Sequence, residues 1–155
     1  MIEQTTVNIG LVTDMEEIRR LYDFIRAQPF DYPRYLDWVE KCKRELELGI
    51  KRALVVKSQG IIVADLVFQA HKQERGVIEI KNVRVNPNYQ RRGLFRQLVE
   101  QLEEQVMQEG YRRIVVDTHA TNMPFITASQ RLGFRRVAEE PLYSDQLEVI
   151  LVKDL

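Results

Sequence analysis

Cysteine is nearly missing from this chain. Cys42 stands alone among 155 residues, so no internal disulfide can form, and a reducing compartment suits the protein. Charge of one sign is missing too: 23 Lys and Arg balance 23 Asp and Glu. With no net field, nothing global draws the molecule to nucleic acid or to an anionic membrane. Histidine is scarce, and His119 has no second His or Cys close by in sequence, which argues against a metal site. No apolar run approaches the roughly 20 residues of a membrane span, and no charged-then-apolar leader is visible. The glycine-rich signature ending in Lys-Ser/Thr and the dinucleotide fingerprint are both absent, and no serine sits in a nucleophile-elbow context. The expectation is a cytoplasmic protein without nucleic-acid or membrane partners.

What is present suits one compact domain spanning 1–155. Hydrophobic residues make up 45% of the chain, enough to bury a real core. Val7 to Val12 reads as a strand, followed by a helix capped by Thr13 or Asp14 with Ile18, Leu21, Tyr22 and Ile25 at helical spacing. A second helix is predicted from Pro33 to Leu48, ended by Gly49. Arg52 to Lys57 and Ile61 to Gln69 flank a Ser-Gln-Gly turn and form a hairpin. Val77 to Val85 is another strand. A helix is expected from Gly93 to Glu109, with Phe95, Leu98, Val99, Leu102 and Val106 on its buried face. Strand Ile114 to Val116, helix Thr121 to Leu132, and strands Phe134 to Val137 and Leu147 to Val152 complete the chain. No repeat or linker interrupts this order, which indicates an α/β domain around a mixed sheet.

Residues 90 to 95, Gln-Arg-Arg-Gly-Leu-Phe, join a strand to a long amphipathic helix. Such a junction gathers the unpaired amides of a helix N-terminus at one spot, which suits an anion. Arg91, Arg92 and Arg96 surround it. A plain strand–loop–helix connection with solvated arginines accounts for the segment equally well.

Two motifs together resemble the Gcn5-related N-acetyltransferase (GNAT) superfamily over nearly the whole chain. The strand Val77-Ile-Glu-Ile-Lys-Asn-Val-Arg-Val85, running through Asn86-Pro87 to Gln90-Arg-Arg-Gly-Leu-Phe95, is similar to the family's acyl-CoA pyrophosphate loop. Asn122-Met-Pro-Phe-Ile-Thr-Ala-Ser-Gln-Arg-Leu-Gly-Phe134 has the spacing of the helix beside the pantetheine arm. The resemblance implies a mostly antiparallel mixed sheet of about seven strands with about four helices. It also implies acetyl-CoA as cosubstrate, with no metal. The donor would be held by Val83, Arg84, Val85, Gln90, Arg91, Arg92, Gly93, Leu94, Phe95, Arg96, Asn122 and Phe125. Three departures stand out. Phe95 occupies a position usually Gly or Ala, and its ring is expected to turn into the core. Ser129 occupies a position where many members carry an acidic tyrosine, and Phe125 replaces a commonly small residue.

Acetyl transfer to an amine needs a polarised carbonyl, a neutral amine and a departing thiolate. Main-chain N–H groups at Val83 to Val85, in a strand that the family bulges and splays, would serve the first need. A lysine-like amine has a pKa near 10.4, so a base is required. Glu79 is the candidate, at the spacing where histone-acetylating members place a glutamate; the alternative is an outward-facing residue paired with Lys81 or Arg84. Ser129 could supply a proton through water, and Tyr89 and Tyr143 are further candidates better read as rim or packing residues. Asp117-Thr-His119 at a strand end reads as a helix-capping or substrate-side segment. Cys42 reads as a buried small hydrophobe. The function expected is direct acetyl transfer to a primary amine in a ternary complex; the alternative is a non-catalytic acyl-CoA sensor. Gln28 to Gly49 and Glu140 to Gln146 would shape the acceptor side, with Asp31, Asp37 and Asp145 able to draw a cationic amine. The resemblance is compatible with a homodimer through the late strands.

Overall fold

The computed structural model describes residues 7–28, 33–142 and 146–155; Asp31, Tyr143 and Asp145 lie outside them. The elements run β1 (Val7–Leu11), α1 (Met15–Ala27), α2 (Tyr35–Glu47), β2 (Arg52–Ser58), β3 (Ile61–Ala70), β4 (Val77–Val85), α3 (Leu94–Gln108), β5 (Arg113–His119), α4 (Met123–Arg131), β6 (Arg135–Glu140) and β7 (Glu148–Asp154). The strands form one seven-stranded sheet in the order β1-β2-β3-β4-β5-β7-β6. β4 and β5 run parallel, and a parallel pair requires a crossover element, which α3 supplies. The neighbours β1–β2, β2–β3, β5–β7 and β6–β7 are antiparallel. This is the mixed α/β fold expected from the sequence.

Two compact units divide the chain: Met1–Gln69 with Asn82–Leu102, and Ala70–Lys81 with Glu103–Leu155. In the first, α1 starts where Asp14 accepts a hydrogen bond from the Glu17 N–H at 2.8 Å, satisfying one orphan donor of the first turn. Ile18, Leu21 and Ile25 on α1 meet Val39, Cys42 and Leu46 on α2 and Ala53, Val55, Ile62 and Val67 on β2 and β3. Burying such a side chain contributes about 1.5–3 kcal/mol. The β2–β3 hairpin closes through Gln59 and Gly60, with φ of 53° and 79°, and Ser58 lies opposite Ile61. Two left-handed residues in a two-residue loop twist the way the strands do.

In the second unit the alternation of β5 sorts its residues by face. Ile114, Val116 and Thr118 are buried, while Arg113, Val115, Asp117 and His119 are half-buried. β5 therefore outruns the apolar stretch Ile114 to Val116, because Asp117, Thr118 and His119 all pair with β7. β6 departs from expectation in the same way. It runs past the expected Val137 to Glu140 and is exposed along nearly all its length, an edge strand whose closing charges hid its end from a search for apolar alternation.

Candidate active site

The loop before α3 is built by local bonds. The Asn86 side chain accepts from the Asn88 N–H at 2.9 Å, a tight helical turn covers Pro87–Tyr89, and Gln90 Nε2 donates to the Val85 carbonyl at 3.2 Å. Arg91 (φ 63°) and Gly93 (φ 76°) are both left-handed; glycine takes this shape without strain, arginine does not. The Gln97 N–H bonds to the Gly93 carbonyl at 3.1 Å. That is the first link of the helical ladder, so the amides of Leu94, Phe95 and Arg96 precede it and point out of the helix start. Arg91, Arg92 and Arg96 are exposed. Arg92 stacks its guanidinium 4.9 Å from the centre of the Tyr89 ring, which gives Tyr89 a rim role.

These residues fit a diphosphate. A Cβ added at Gly93 would meet only Arg96 Nη2 at 3.8 Å, so the cradle is open, cationic and lined by main chain. Phe95 differs from its expected place. Leu94, with Leu98, Val99, Leu102 and Val106, heads the buried stripe of α3, and Phe95 lies beside that stripe, half-buried. On β4, Val83, Arg84 and Val85 are half-buried, and the β4–β5 ladder stops at Ile80–Val116 although β4 runs on to Val85 and β5 to His119. Main-chain groups beyond that point are not used in this ladder. Arg84 Nη1 donates to the Val83 carbonyl at 3.0 Å.

Asp65 escaped the sequence reading. It is fully buried on β3 and accepts from Asn82 Nδ2 at 2.8 Å. Its second oxygen has no hydrogen-bond partner among the described residues. Burial pushes its pKa up to about 7, against the pull of Asn82 and Arg84. The signal was there to be used: a single carboxylate inside the apolar run Ile61–Ala70 must be held by something. Cys42 is buried, and loss of water raises its thiol to about 12, which makes it an inert hydrophobe.

The structure gives the surroundings of three catalytic-side candidates. Glu79 has the Lys81 partner that the alternative reading allowed: Lys81 Nζ lies 2.9 Å from one oxygen, and His71 Nε2 faces the other at 3.6 Å. Ser129 is 0% exposed inside α4, and its hydroxyl has no partner among the described residues, so no solvent water touches it to relay a proton. Asp37 meets Arg34 at 3.0 Å, both side chains largely exposed. At the start of α4, Asn122 is exposed and donates from Nδ2 to Thr118 Oγ1 at 3.1 Å, with Phe125 half-buried a turn later.

Sequence reasoning named Glu79, Asp117 and His119 separately, but missed Glu148 on the face shared by β4, β5 and β7. Glu79 stands opposite Val115, and Asp117 and His119 follow Val115 on the same side of β5. β7 places Glu148 across from His119 and Ile150 across from Asp117. Burial raises the Asp117 carboxyl to about 6; Lys81 opposes the shift, and Glu148 and Glu79 add to it. Two further facts bound the chemistry. Among the described residues no group of three or more His, Cys, Asp or Glu could hold a metal, and no helix is long and apolar enough to cross a membrane.

Comparison with known proteins agrees with this architecture. A GNAT-family protein from Desulfovibrio desulfuricans superposes with a TM-score of 0.84 at 15% identity, covering 96% of this chain and 99% of its own. A ribosomal-protein-alanine N-acetyltransferase from Brucella melitensis gives 0.73 at 16% identity, covering 96% and 99%. A Salmonella typhimurium protein solved with its cofactor acetyl-CoA gives 0.69 at 18% identity, covering 96% and 94%. At such identities the likeness is one of fold. No curated protein matches the chain. The profile of the Acetyltransferase (GNAT) family matches residues 13–134, which takes in α1 through α4, the Gln90–Arg96 loop and the Asn122–Phe134 motif, and the chain belongs to that family.

Proposed function

We propose that the protein transfers an acetyl group from acetyl-CoA directly to a primary amine. The observation that carries this reading is the left-handed Arg91–Gly93 loop opening α3 amid exposed arginines, a shape suited to a diphosphate. In this reading the amides at the start of α3, with Arg91, Arg92 and Arg96, hold the diphosphate of the donor. Main chain at Val83 to Val85 is suited to its pantetheine and acetyl portion. Bound acetyl-CoA supplies an acyl group already activated as a thioester. The chain's part is to aim main-chain donors at the carbonyl oxygen, where one N–H lowers the barrier by about 3 kcal/mol, and to take a proton from the amine. Glu79 and Asp117, two carboxylates on one face, attract the ammonium form of the acceptor.

A thiolate is a tolerable leaving group, so the interior position of Ser129 slows the final protonation without forbidding it. That position also lends weight to the second reading, an acyl-CoA sensor on the same fold. Isothermal titration with acetyl-CoA, followed by thiol release with n-butylamine, spermidine and an alanine-initiated peptide, separates the two. Binding with turnover supports transfer, binding with no turnover on any amine supports the sensor, and no binding removes both.

A further inference from the structure

The side chain in the first unit that most needs a reason is Asp65. A carboxyl at 0% exposure on β3 has given up the water that would solvate its charge, and an apolar residue of like volume would serve the core at least as well. Its place in the ladder shows what it holds. β3 and β4 are neighbours in the sheet, and the 71–76 connection between them is too short for a parallel crossover, so they run antiparallel. The Asn86 N–H donates to the Val63 carbonyl at 2.8 Å. In that register Arg84 stands opposite Asp65 and Asn82 diagonally from it, all on one face. The contact agrees: Asn82, itself buried, donates from Nδ2 to Asp65 Oδ2 at 2.8 Å. Burial raises the Asp65 carboxyl, and the Asn82 hydrogen bond and then Arg84, by its charge and through its main chain, pull it back.

Val83, Arg84 and Val85 are therefore fastened to β3 at both ends, by the Asn82 side chain on one side and the Asn86 main chain on the other. Past Asn82 the alternation of burial along β4 stops, and these three residues are all half-buried. Within the acyl-transfer reading on which this rests, they are the main chain suited to the acetyl and pantetheine portion of the donor. We propose that Asp65 is the positioning residue that fixes the Val83–Val85 main chain where a thioester carbonyl would meet its N–H groups. Asp65 touches neither donor nor acceptor. Its carboxyl holds Asn82, Asn82 holds the end of the stretch, and the N–H groups keep one direction. Such preorganisation counts most at the reacting carbonyl, where a misplacement of about 1 Å costs on the order of 10²-fold in rate. The diphosphate loop, by contrast, is shaped by its own local bonds from Asn86, Gln90 and Gly93.

The test uses the full chain and its Asp65→Leu, Asp65→Asn and Asn82→Ala variants. Thermal melting shows that each folds, and titration with coenzyme A reads the diphosphate loop. Thiol release from acetyl-CoA with n-butylamine, spermidine and the alanine-initiated peptide reads turnover. Asp65→Leu is expected to lose about 10²-fold in kcat, with KM for acetyl-CoA and affinity for coenzyme A unchanged. Asp65→Asn keeps a side-chain oxygen for Asn82 and should restore most of the lost kcat. Asn82→Ala cuts the link from its other end and should lose kcat as Asp65→Leu does; it decides the matter if Asp65→Leu does not fold. Amide NMR shifts, which need no donor, should move at Val83, Arg84 and Val85 in both link-breaking variants and stay in place at Leu94, Phe95 and Arg96. The assignment is overturned if the link-breaking variants keep their turnover, if coenzyme A affinity falls as far as kcat, or if Asp65→Asn is as slow as Asp65→Leu. A wild-type protein that binds acetyl-CoA and acetylates no amine removes the transfer reading itself. That failure is told apart from a failure of Asp65 by the amide shifts, which then still move at Val83 to Val85.

Discussion

Ser129 and Asp65 are both buried polar side chains, and their substitutions should behave in opposite ways. The Ser129 hydroxyl has no partner among the described residues, so removing it sacrifices no hydrogen bond, and alanine favours the helix. Ser129→Ala should leave stability within about 1 kcal/mol of wild type and leave thiol release unchanged; a large fall in turnover would restore its chemical role. Asp65 has a carboxyl raised from 3.8 to about 7 in the fold. Between those values the folded protein holds a proton that the unfolded chain has released, so this group's contribution to stability falls as pH rises from about 4 to about 7. Asp65→Asn does not titrate. Its melting temperature should vary less over that range, and its advantage over wild type should be greater at pH 8 than at pH 5. Parallel melting curves for the two proteins across that range would show that Asp65 carries no such linkage. Glu79 and Ser129 also mark the limit of reading a site from spacing. Spacing places a residue on an element, but not how deeply its side chain is buried or that His71, from outside β4, joins Lys81 at Glu79.

Elements were more legible than the residues within them. α1, α2 and α3 carried a strong 3.6-residue pattern, and the Gln59–Gly60 hairpin had its turn residues in place. β6 and the end of β5 were harder to find, because charged residues on pairing strands break no hydrogen bonds yet erase the apolar alternation a reader counts. The Gln90–Phe95 loop was legible through its glycine, and the structure gives that glycine a conformational reason. Gly93→Ala places a side chain at φ 76°, costing about 1–2 kcal/mol, and the loop should relax away from its present shape. Acetyl-CoA affinity is expected to drop about tenfold, the size of effect that energy produces if the relaxed loop cannot bind. Gly110, at φ 92° beyond the other end of α3, is the control: Gly110→Ala should cost similar stability and leave the affinity unchanged. Equal loss of affinity in both variants would mean that strain in α3, rather than the loop's shape, sets donor binding.

At the scale of the whole molecule, a ligand that binds only the folded chain must stabilise it. Acetyl-CoA at a hundred times its Kd should add about 2.7 kcal/mol, which for a domain of this size moves the melting temperature by about 5–10 °C. Coenzyme A, which keeps the diphosphate and lacks the acetyl group, should produce most of the same shift; no shift with either compound would contradict donor binding.

The cluster of Ile18, Leu21, Ile25, Val39, Cys42, Leu46, Ala53, Val55, Ile62 and Val67 draws every buried member from the stretch between Ile18 and Val67. Its strands β1, β2 and β3 pair with one another in register. On the ribosome every member of this cluster is outside the exit tunnel once Ala70 clears it, while the Gln90–Gly93 turn is still inside. The growing polypeptide therefore has a native-like platform waiting when β4 emerges, and vectorial synthesis shields its most apolar strands from neighbouring nascent chains.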